Sequence, residues 1–307
     1  MTDAKTGQVA FLGLGNMGAR MSKRLLDAGY AVLGFDPDAD ARRSLTAAGG
    51  TAAPDAATAV AGASFVILML PNSAVVEATL GDAAVLDALR PGSIVVDMSS
   101  SEPLSTQRLS YALAKRRITL IDAPVSGGIS GAESGTLTIM AGGTETAVAR
   151  IAALLEPLGK LHRVGNTGAG HALKAINNLL AAVHLLAGAE GFAAGRRFGL
   201  DPELMVSMIN ISSGRSASTE LKFPRFILPQ TYDSGFGLAL MLKDMRIATG
   251  LADALGVGSP LGQRAVELWA EADAALGPGA DQTEIARWVL RQPNAKPADT
   301  AGSDHHQ

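Results

Sequence analysis

The sequence predicts an α/β domain with a largely parallel sheet, followed by an all-α domain. Short apolar runs alternate with helical segments in the first half of the chain, and a glycine-rich turn follows the first run. From His171 to about Gln292 the apolar spacing is helical. We place the α/β domain at 1–166, the helical domain at 167–292 and a disordered tail at 293–307, which has no apolar pattern.

A complete βαβ unit opens the chain. A strand over 8–12 runs into a G-x-G-x-x-G turn, a helix follows over 19–28, and a second strand covers 31–35. The turn consists of Gly13, Leu14, Gly15, Asn16, Met17 and Gly18. In such a turn the first glycine makes the bend, the second admits a pyrophosphate, and the third lets the helix pack on the strand. The alternative is a glycine turn with no ligand, but its place between strand and helix favours dinucleotide binding.

The residue after the second strand indicates which dinucleotide binds. Asp36 would accept hydrogen bonds from a ribose diol and repel a 2′-phosphate, so we expect NAD, with NADP the weaker cofactor. Arg42 and Arg43 are the counter-argument, because cations there would suit NADP. We interpret both as solvated helix residues.

Further strands are predicted over 65–70, 94–96, 118–121, 137–141 and 161–164, and a helix over 147–155. Leu70, Pro71, Ser99 and Ser100 lie at or just beyond the carboxyl ends of two of them, at the edge where open α/β sheets bind ligands. We expect these residues to line the nicotinamide half of the cofactor. Ordinary βα turns, with serine as a helix cap, are the alternative.

A second glycine-rich stretch covers 122–131, after the apolar run at 118–121. Ser126, Gly127 and Gly128 leave backbone N–H groups uncovered, as a site for a small anion requires. An isolated pair of glycines more often marks a plain turn. Because a dinucleotide-type loop precedes this stretch and a buried lysine follows it, we predict an anion site here.

The helical domain begins with one long predicted helix over about 169–197. Gly170, Lys174 and Asn178 recur at four-residue intervals and share one face of it. The following segment, 179–189, is apolar almost all round, which predicts a mostly buried helix. Burial lowers the pKa of a lysine, so Lys174 is a candidate general acid/base. Breaks in the helical pattern are expected at Gly199, 212–214, Pro224, Pro229 and Pro278.

Composition narrows the class of protein. The 307 residues include 26 basic and 29 acidic side chains, a net charge of −3, which favours neither nucleic acid nor an anionic membrane as partner. The absence of cysteine excludes disulfides, thiol nucleophiles and Cys-ligated metals, and no other metal-ligand spacing occurs. The start has no signal-peptide core, and the strongest apolar run, 65–70, is too short to span a bilayer. We expect a cytoplasmic protein with a small-molecule substrate.

Several motifs in order resemble the β-hydroxyacid dehydrogenase family, which includes 3-hydroxyisobutyrate dehydrogenase and tartronate semialdehyde reductase. They are FLGLGNMG at 11–18, MLP at 69–71, DMSS at 97–100, DAPVSGG at 122–128, GTLTIM at 135–140, GAGHALK at 168–174 with Asn178, and KD at 243–244. The resemblance covers about 8–290. It departs from the usual Ser-Ser-Thr after Asp97, where this chain has Met98, Ser99 and Ser100.

The resemblance implies a Rossmann-like first domain, a helical second domain like that of 6-phosphogluconate dehydrogenase, and a homodimer or homotetramer. It implies that Lys174 is the catalytic lysine and Asn178 its partner at the substrate. Ser126, Gly127 and Gly128 would hold the substrate carboxylate, and Lys243 would contact both nicotinamide and substrate. Leu70, Pro71 and Ser100 are implied cofactor contacts. We expect the choice among hydroxy acids to depend on the helical domain, around Ser213–Ser218. The sequence of this segment does not match a known substrate specificity.

The expected reaction is NAD-dependent interconversion of a small 3-hydroxy acid, similar to 3-hydroxyisobutyrate, and its semialdehyde or ketone. Tartronate semialdehyde reduction or another family substrate, such as a sugar acid, is the alternative within the family. An imine reductase shares the architecture but as a class lacks this lysine, and a non-catalytic cofactor-binding scaffold would be expected to have lost it. Lys174 and Asn178 argue against both.

Overall fold

The computed structural model describes residues 8–291, so the predicted disordered tail at 293–307 lies outside the described residues. The chain forms two compact units. The first contains 8–182 and Leu240–Glu267, and the second contains 183–239 and 268–291. The unit boundary falls within the long helix of the sequence prediction, so the first half of that helix groups with the sheet.

The first unit is built on nine strands. They are β1 (Val9–Leu12), β2 (Val32–Phe35), β3 (Thr51–Ala52), β4 (Phe65–Leu68), β5 (Ile94–Asp97), β6 (Thr119–Asp122), β7 (Val125–Ser126), β8 (Leu137–Gly142) and β9 (Gly159–Gly165). Their order is β3-β2-β1-β4-β5-β6-β8-β7, with β9 on β8, and the first six run parallel. This order confirms the predicted Rossmann-like fold, in which the chain reverses direction across the sheet between β1 and β4.

Eight helices connect the strands. They are α1 (Asn16–Asp27), α2 (Ala39–Ala47), α3 (Ala56–Val60), α4 (Ser73–Gly81), α5 (Ala83–Ala88), α6 (Pro103–Ala114), α7 (Gly128–Ser134) and α8 (Glu145–Leu155). They pack on both faces of the sheet, giving one core cluster that includes Phe11 and Ile121 and another that includes Ala10 and Leu120. Burial on both faces explains why these strands read as unbroken apolar runs.

Two parts of this unit differ from the sequence prediction. α1 begins at Asn16 rather than Ala19, because Gly15 already serves as its N-cap. β8 is antiparallel to β6 and β7, whereas a parallel continuation was expected. The chain turns back between β7 and β8 through Gly127 and the helix α7, and an apolar run gives no information on strand direction.

The long helix α9 (Ala169–Phe198) matches the predicted span. Within the described residues it is the one helix long and apolar enough to cross a membrane, a test that core helices of soluble proteins also pass. The expectation that it is mostly buried is wrong, since 39% of its apolar window is buried. Leu173, Ile176 and Leu180 are exposed along one side.

The remaining helices are α10 (Pro202–Asn210), α11 (Leu238–Ala254), α12 (Pro260–Leu276) and α13 (Glu284–Arg291). A π-helical segment, Ser218–Ile227, belongs to the second unit and contains Pro224, so the predicted helix break there is wrong. In this wider helix Leu228 N–H donates to Phe223 O, five residues back, and the wider turn leaves room for the proline ring. Phe223 also packs on Phe192, with 4.3 Å between ring centroids.

Candidate active site

The glycine turn joins β1 to α1 at the carboxyl edge of the sheet. A Cβ on Gly13 would collide with Met69 O, and one on Gly18 with Gly13 O, so both positions exclude side chains. Gly15 instead faces open space, with nothing within 4 Å of an added Cβ. The first N–H groups of α1 have no acceptor within the helix. These residues fit a pyrophosphate, which binds where backbone donors and free space coincide.

Asp36 lies next to this turn and is fixed by it. Its Oδ2 accepts the Leu14 N–H at 2.7 Å and its Oδ1 accepts the Asp38 N–H at 2.9 Å. A carboxylate has further lone pairs, so Asp36 retains capacity for a ribose hydroxyl. Arg42 donates to the Asp36 and Pro37 carbonyls and stacks on Phe35, so it is held in place rather than freely solvated. Arg43 is exposed and pairs with Asp40, as predicted for a surface residue.

The turns after β4 and β5 are joined by hydrogen bonds. Ser99 is fully buried, and its Oγ accepts the Leu70 N–H at 2.9 Å. Ser99 therefore serves to connect the two turns. Ser100 and Leu70 are half-buried and Pro71 is exposed, so these three predicted contacts remain accessible to a ligand.

The predicted anion loop begins at Ser126, the last residue of β7. Gly127 has φ 127° and Gly128 φ 61°, conformations that favour glycine, and α7 begins at Gly128. Met140 on β8 lies between this stretch and the start of α9. Its N–H donates to Pro124 O, two residues before the loop. Its carbonyl packs so closely against Gly170 on α9 that a Cβ there would collide with it.

The structure joins Asn178 and Lys243 through the carboxylate of Asp244, a residue of the KD motif that had no predicted role of its own. Asn178 Nδ2 donates to Asp244 Oδ2 at 2.6 Å, and Lys243 Nζ lies 3.1 Å from Asp244 Oδ1. Lys243 also donates to Ser100 O at 2.9 Å, which ties α11 to the turn after β5. Asp244 is 2% exposed. In the sequence, Asp244 is recognisable as one half of a charged pair in the otherwise apolar start of α11.

Lys174 lies beside this group, four residues before Asn178 on the same helix. It is 8% exposed, and burial lowers the pKa of its ammonium below the ordinary value. The Asp244 carboxylate opposes that change in pKa and the Lys243 ammonium reinforces it. A lowered pKa makes the neutral amine easier to reach, which favours a role for this lysine as general acid or base.

Two family profiles together match almost the whole described chain. Residues 8–170 match the NAD-binding domain of 6-phosphogluconate dehydrogenase, and 168–289 match the NAD-binding region of NADP-dependent 3-hydroxyisobutyrate dehydrogenase. The chain belongs to the β-hydroxyacid dehydrogenase family. Membership makes it an NAD(P)-binding oxidoreductase that acts on hydroxy acids.

Relatives in this family are similar over most of their length. The 2-(hydroxymethyl)glutarate dehydrogenase of Eubacterium barkeri is 37% identical over 94% of this chain and 96% of its own. The NAD-dependent L-serine dehydrogenase of Pseudomonas aeruginosa is 38% identical over 85% of this chain and 91% of its own. A solved structure of Mycobacterium tuberculosis 3-hydroxyisobutyrate dehydrogenase with L-serine has a TM-score of 0.88 and 34% identity, covering 93% of this chain and 99% of that one.

Proposed function

We propose that this member of the β-hydroxyacid dehydrogenase family is an NAD-preferring enzyme that interconverts a small 3-hydroxy acid, similar to 3-hydroxyisobutyrate, and its semialdehyde or ketone. The supporting observation is Lys174, a buried lysine with a lowered pKa, beside an asparagine fixed by a buried carboxylate. When bound, the nicotinamide dinucleotide takes or returns the hydride at the carbinol carbon.

In the oxidative direction Lys174 Nζ takes the hydroxyl proton, and in the reductive direction it returns a proton to the carbonyl oxygen. Asn178 Nδ2 has two N–H donors, one bound to Asp244, so the other is available to orient the hydroxyl oxygen. Ser126, Gly127 and Gly128 hold the substrate carboxylate, and Lys243 contributes positive charge to substrate and cofactor. Holding the carboxylate and the hydroxyl at once aligns the carbinol carbon for transfer.

The names of three relatives share one chemical unit. Hydroxymethylglutarate, serine and 3-hydroxyisobutyrate each have a hydroxymethyl group on the carbon next to a carboxylate. This shared unit supports a primary alcohol two bonds from the carboxylate carbon as substrate. Tartronate semialdehyde is the alternative within the family. We assign discrimination among the side groups of these substrates to residues around Ser213–Ser218. They belong to the proposed substrate and oligomerisation domain, 167–292.

Asp36 supports NAD over NADP. Its carboxylate is held beside the glycine turn by two backbone N–H groups and places a negative charge where the 2′-phosphate of NADP would require a cation. We further propose a cytoplasmic homodimer or homotetramer, in which a second copy covers the exposed side of α9.

The test is a panel of 3-hydroxy acids and one cyclic imine, each with NAD and NADP, on the wild type, Lys174→Ala and Lys160→Ala. Lys160 is an exposed lysine on β9 and serves as the control. We expect Lys174→Ala to lower kcat by about 10²-fold or more and to bind NAD as before, since general acid/base catalysis contributes that much. Normal turnover by Lys174→Ala would refute the mechanism. Preferential turnover of the imine would refute the substrate class, and a preference for NADP of about tenfold would refute the role of Asp36.

A further inference from the structure

Two neighbouring strands near the candidate active site each end in a buried aspartate. Asp97 ends β5 and Asp122 ends β6, and the two residues are register partners in the parallel ladder. Asp97 is 1% and Asp122 0% exposed. A buried carboxylate is costly unless it is hydrogen-bonded, and the proposed chemistry uses neither residue.

Asp122 caps the helix that contains Lys174. Its Oδ1 accepts the Gly168 N–H at 2.7 Å, and its Oδ2 accepts the His171 N–H at 3.0 Å. The first N–H groups of a helix have no acceptor within the helix, and the positive end of the helix dipole favours an anion. A strand end thus supplies both acceptors to the first turn of α9, from 46 and 49 positions earlier in the chain.

The space around this carboxylate is filled. A Cβ on Gly142 would lie 2.5 Å from Asp122 Oδ1, and one on Gly170 would lie 2.9 Å from Asp122 Oδ2. The helix start can approach the strand this closely because both positions are glycine. The first turn of α9 therefore has little freedom to slide or rotate on β6 and β8.

His171 provides a second attachment in the same turn. Its ring is fully buried, with Nδ1 2.8 Å from Thr106 Oγ1 on α6 and Nε2 3.8 Å from Asp97 Oδ2. Asp97 in turn accepts the Ser99 N–H at 3.0 Å and the Ser101 hydroxyl at 2.9 Å. Those two residues flank Ser100, whose carbonyl binds Lys243.

The neighbours of Asp122 stabilise its buried carboxylate. Burial raises the pKa of the Asp122 carboxyl, while His171 and the backbone donors at Gly168 and His171 oppose that rise in pKa. Asp122 is not among the groups that shift the pKa of Lys174. Within 8–291, no group of three His, Cys, Asp or Glu residues has an arrangement that would hold a metal ion.

We propose that Asp122 is a positioning residue: by fixing the first turn of α9 on the end of β6, it sets the place of Lys174, one turn further along the helix. The inference rests on the proposed function, because it assigns Lys174 the proton transfer. The positioning role of Asp122 differs from the role of the other site residues in the 122–128 stretch. Ser126, Gly127 and Gly128 face the substrate, and Asp122 holds the helix.

Asp122→Asn tests the proposal with little change in size. One carboxylate oxygen becomes an NH₂ donor that faces a backbone N–H, so one of the two backbone hydrogen bonds is lost. We expect kcat per NADH-binding site to fall about tenfold or more, since small displacements of a reacting group cost this much. Backbone amide exchange at 168–172 should quicken, while the NADH Kd and the pH midpoint of kcat/KM stay unchanged.

Asp82→Asn is the matched control. Asp82 caps α5 by accepting the Val85 N–H at 3.0 Å, and α5 contains none of the candidate site residues. We expect this variant to keep its kcat despite the weaker cap. An Asp122→Asn variant with faster exchange at 168–172 but wild-type kcat per site would show a purely structural cap and overturn the proposal.

Lys174→Ala, measured in parallel, distinguishes the two proposals. Normal turnover by Lys174→Ala refutes the proposed function, whereas a loss there with normal turnover by Asp122→Asn refutes the positioning role alone. Thr106→Val removes the hydroxyl bound to His171 Nδ1 at almost constant volume and is measured if Asp122→Asn does not fold. Because His171 attaches the same turn of α9, we then expect a fall in kcat of about threefold or more. An unchanged kcat would show that the seating of this turn does not set the place of Lys174, and would overturn the proposal.

Discussion

The protonation of Lys174 depends on three causes of different sign. Burial disfavours the ammonium and has the largest effect on its pKa, Asp244 favours the ammonium, and Lys243 disfavours it. Because a general base must be neutral before it takes a proton, oxidation should become faster as pH rises through the pKa of Lys174. Reduction needs the ammonium and should become slower over the same range.

The two charged neighbours provide opposite changes to test this assignment. Asp244→Asn removes the anion, so the pKa of Lys174 falls and the rising limb of the oxidation profile moves to lower pH. Lys243→Met removes the nearby cation, so the pKa rises and the same limb moves to higher pH. The measurement is kcat/KM against pH for both variants. Midpoints that move in the same direction would contradict Lys174 as the titrating group.

Individual residues differ in how far the sequence could reveal them. Lys174 and Asn178 were predictable as one helix face from their four-residue spacing. The link to Asp244 was not, because it joins α9 and α11 across 66 positions. The role of Asp122 was also missed, since its partners are backbone groups. The available signal was an aspartate closing each of two successive apolar strands.

At the scale of elements, the glycine turn combines two kinds of position. Gly13 and Gly18 are needed for packing, because a side chain at either would collide with backbone carbonyls. Gly15 has an ordinary φ of −65° and open space around it, so the fold alone does not require glycine there. We propose that glycine is required at this position by the cofactor's pyrophosphate.

Gly15→Ala should therefore separate binding from folding. We expect its Tm without cofactor to stay within about 2 °C of the wild type, while the NADH Kd weakens about tenfold or more, because the added methyl group occupies the approach of the pyrophosphate. Gly81→Ala, in α4 and also in open space, is the control and should change neither quantity. Calorimetry and NADH fluorescence titration give the two values. A folded Gly15→Ala that binds NAD normally would contradict the assigned pyrophosphate position.

Elements with several apolar residues were predictable, and shorter or unusual ones were not. β1, β2, β4 and β5 appear where apolar runs meet turn residues. β3 and β7 have two residues each, too few for any periodic pattern. The direction of β8 depends on the return of the chain through Gly127 and α7, and the π-helical segment continues through a proline that normally ends a helix.

At the scale of the whole molecule, the exposed apolar side of α9 is the feature that supports the proposed oligomer. Leu173, Ile176 and Leu180 are 41%, 44% and 53% exposed and recur at helical spacing. Contiguous exposed apolar patches are a feature of interaction surfaces, and these neighbouring side chains are the surface that the proposed oligomer would cover. The sequence predicted an apolar helix correctly, but it could not show which side the chain itself covers.

Leu180→Glu should break the proposed oligomer. A carboxylate on this side would be buried without a partner on association, so we expect the mass in solution to fall to that of the monomer. Tyr111→Glu, which replaces a 70% exposed aromatic residue on α6, is the control and should keep the wild-type mass. Size-exclusion chromatography with light scattering measures both. A wild-type protein of monomeric mass, or an unchanged Leu180→Glu oligomer, would refute the proposed interface.

The support of α9 has a consequence for how this enzyme can diversify. The contacts that seat the helix, from Asp122 to Gly168 and His171, involve the backbone and not the lysine. The residue at 174 can therefore be exchanged without removing either of the hydrogen bonds that hold the start of α9 on Asp122. By contrast, under the proposed positioning role, a change at Asp122 would displace whichever residue occupies position 174.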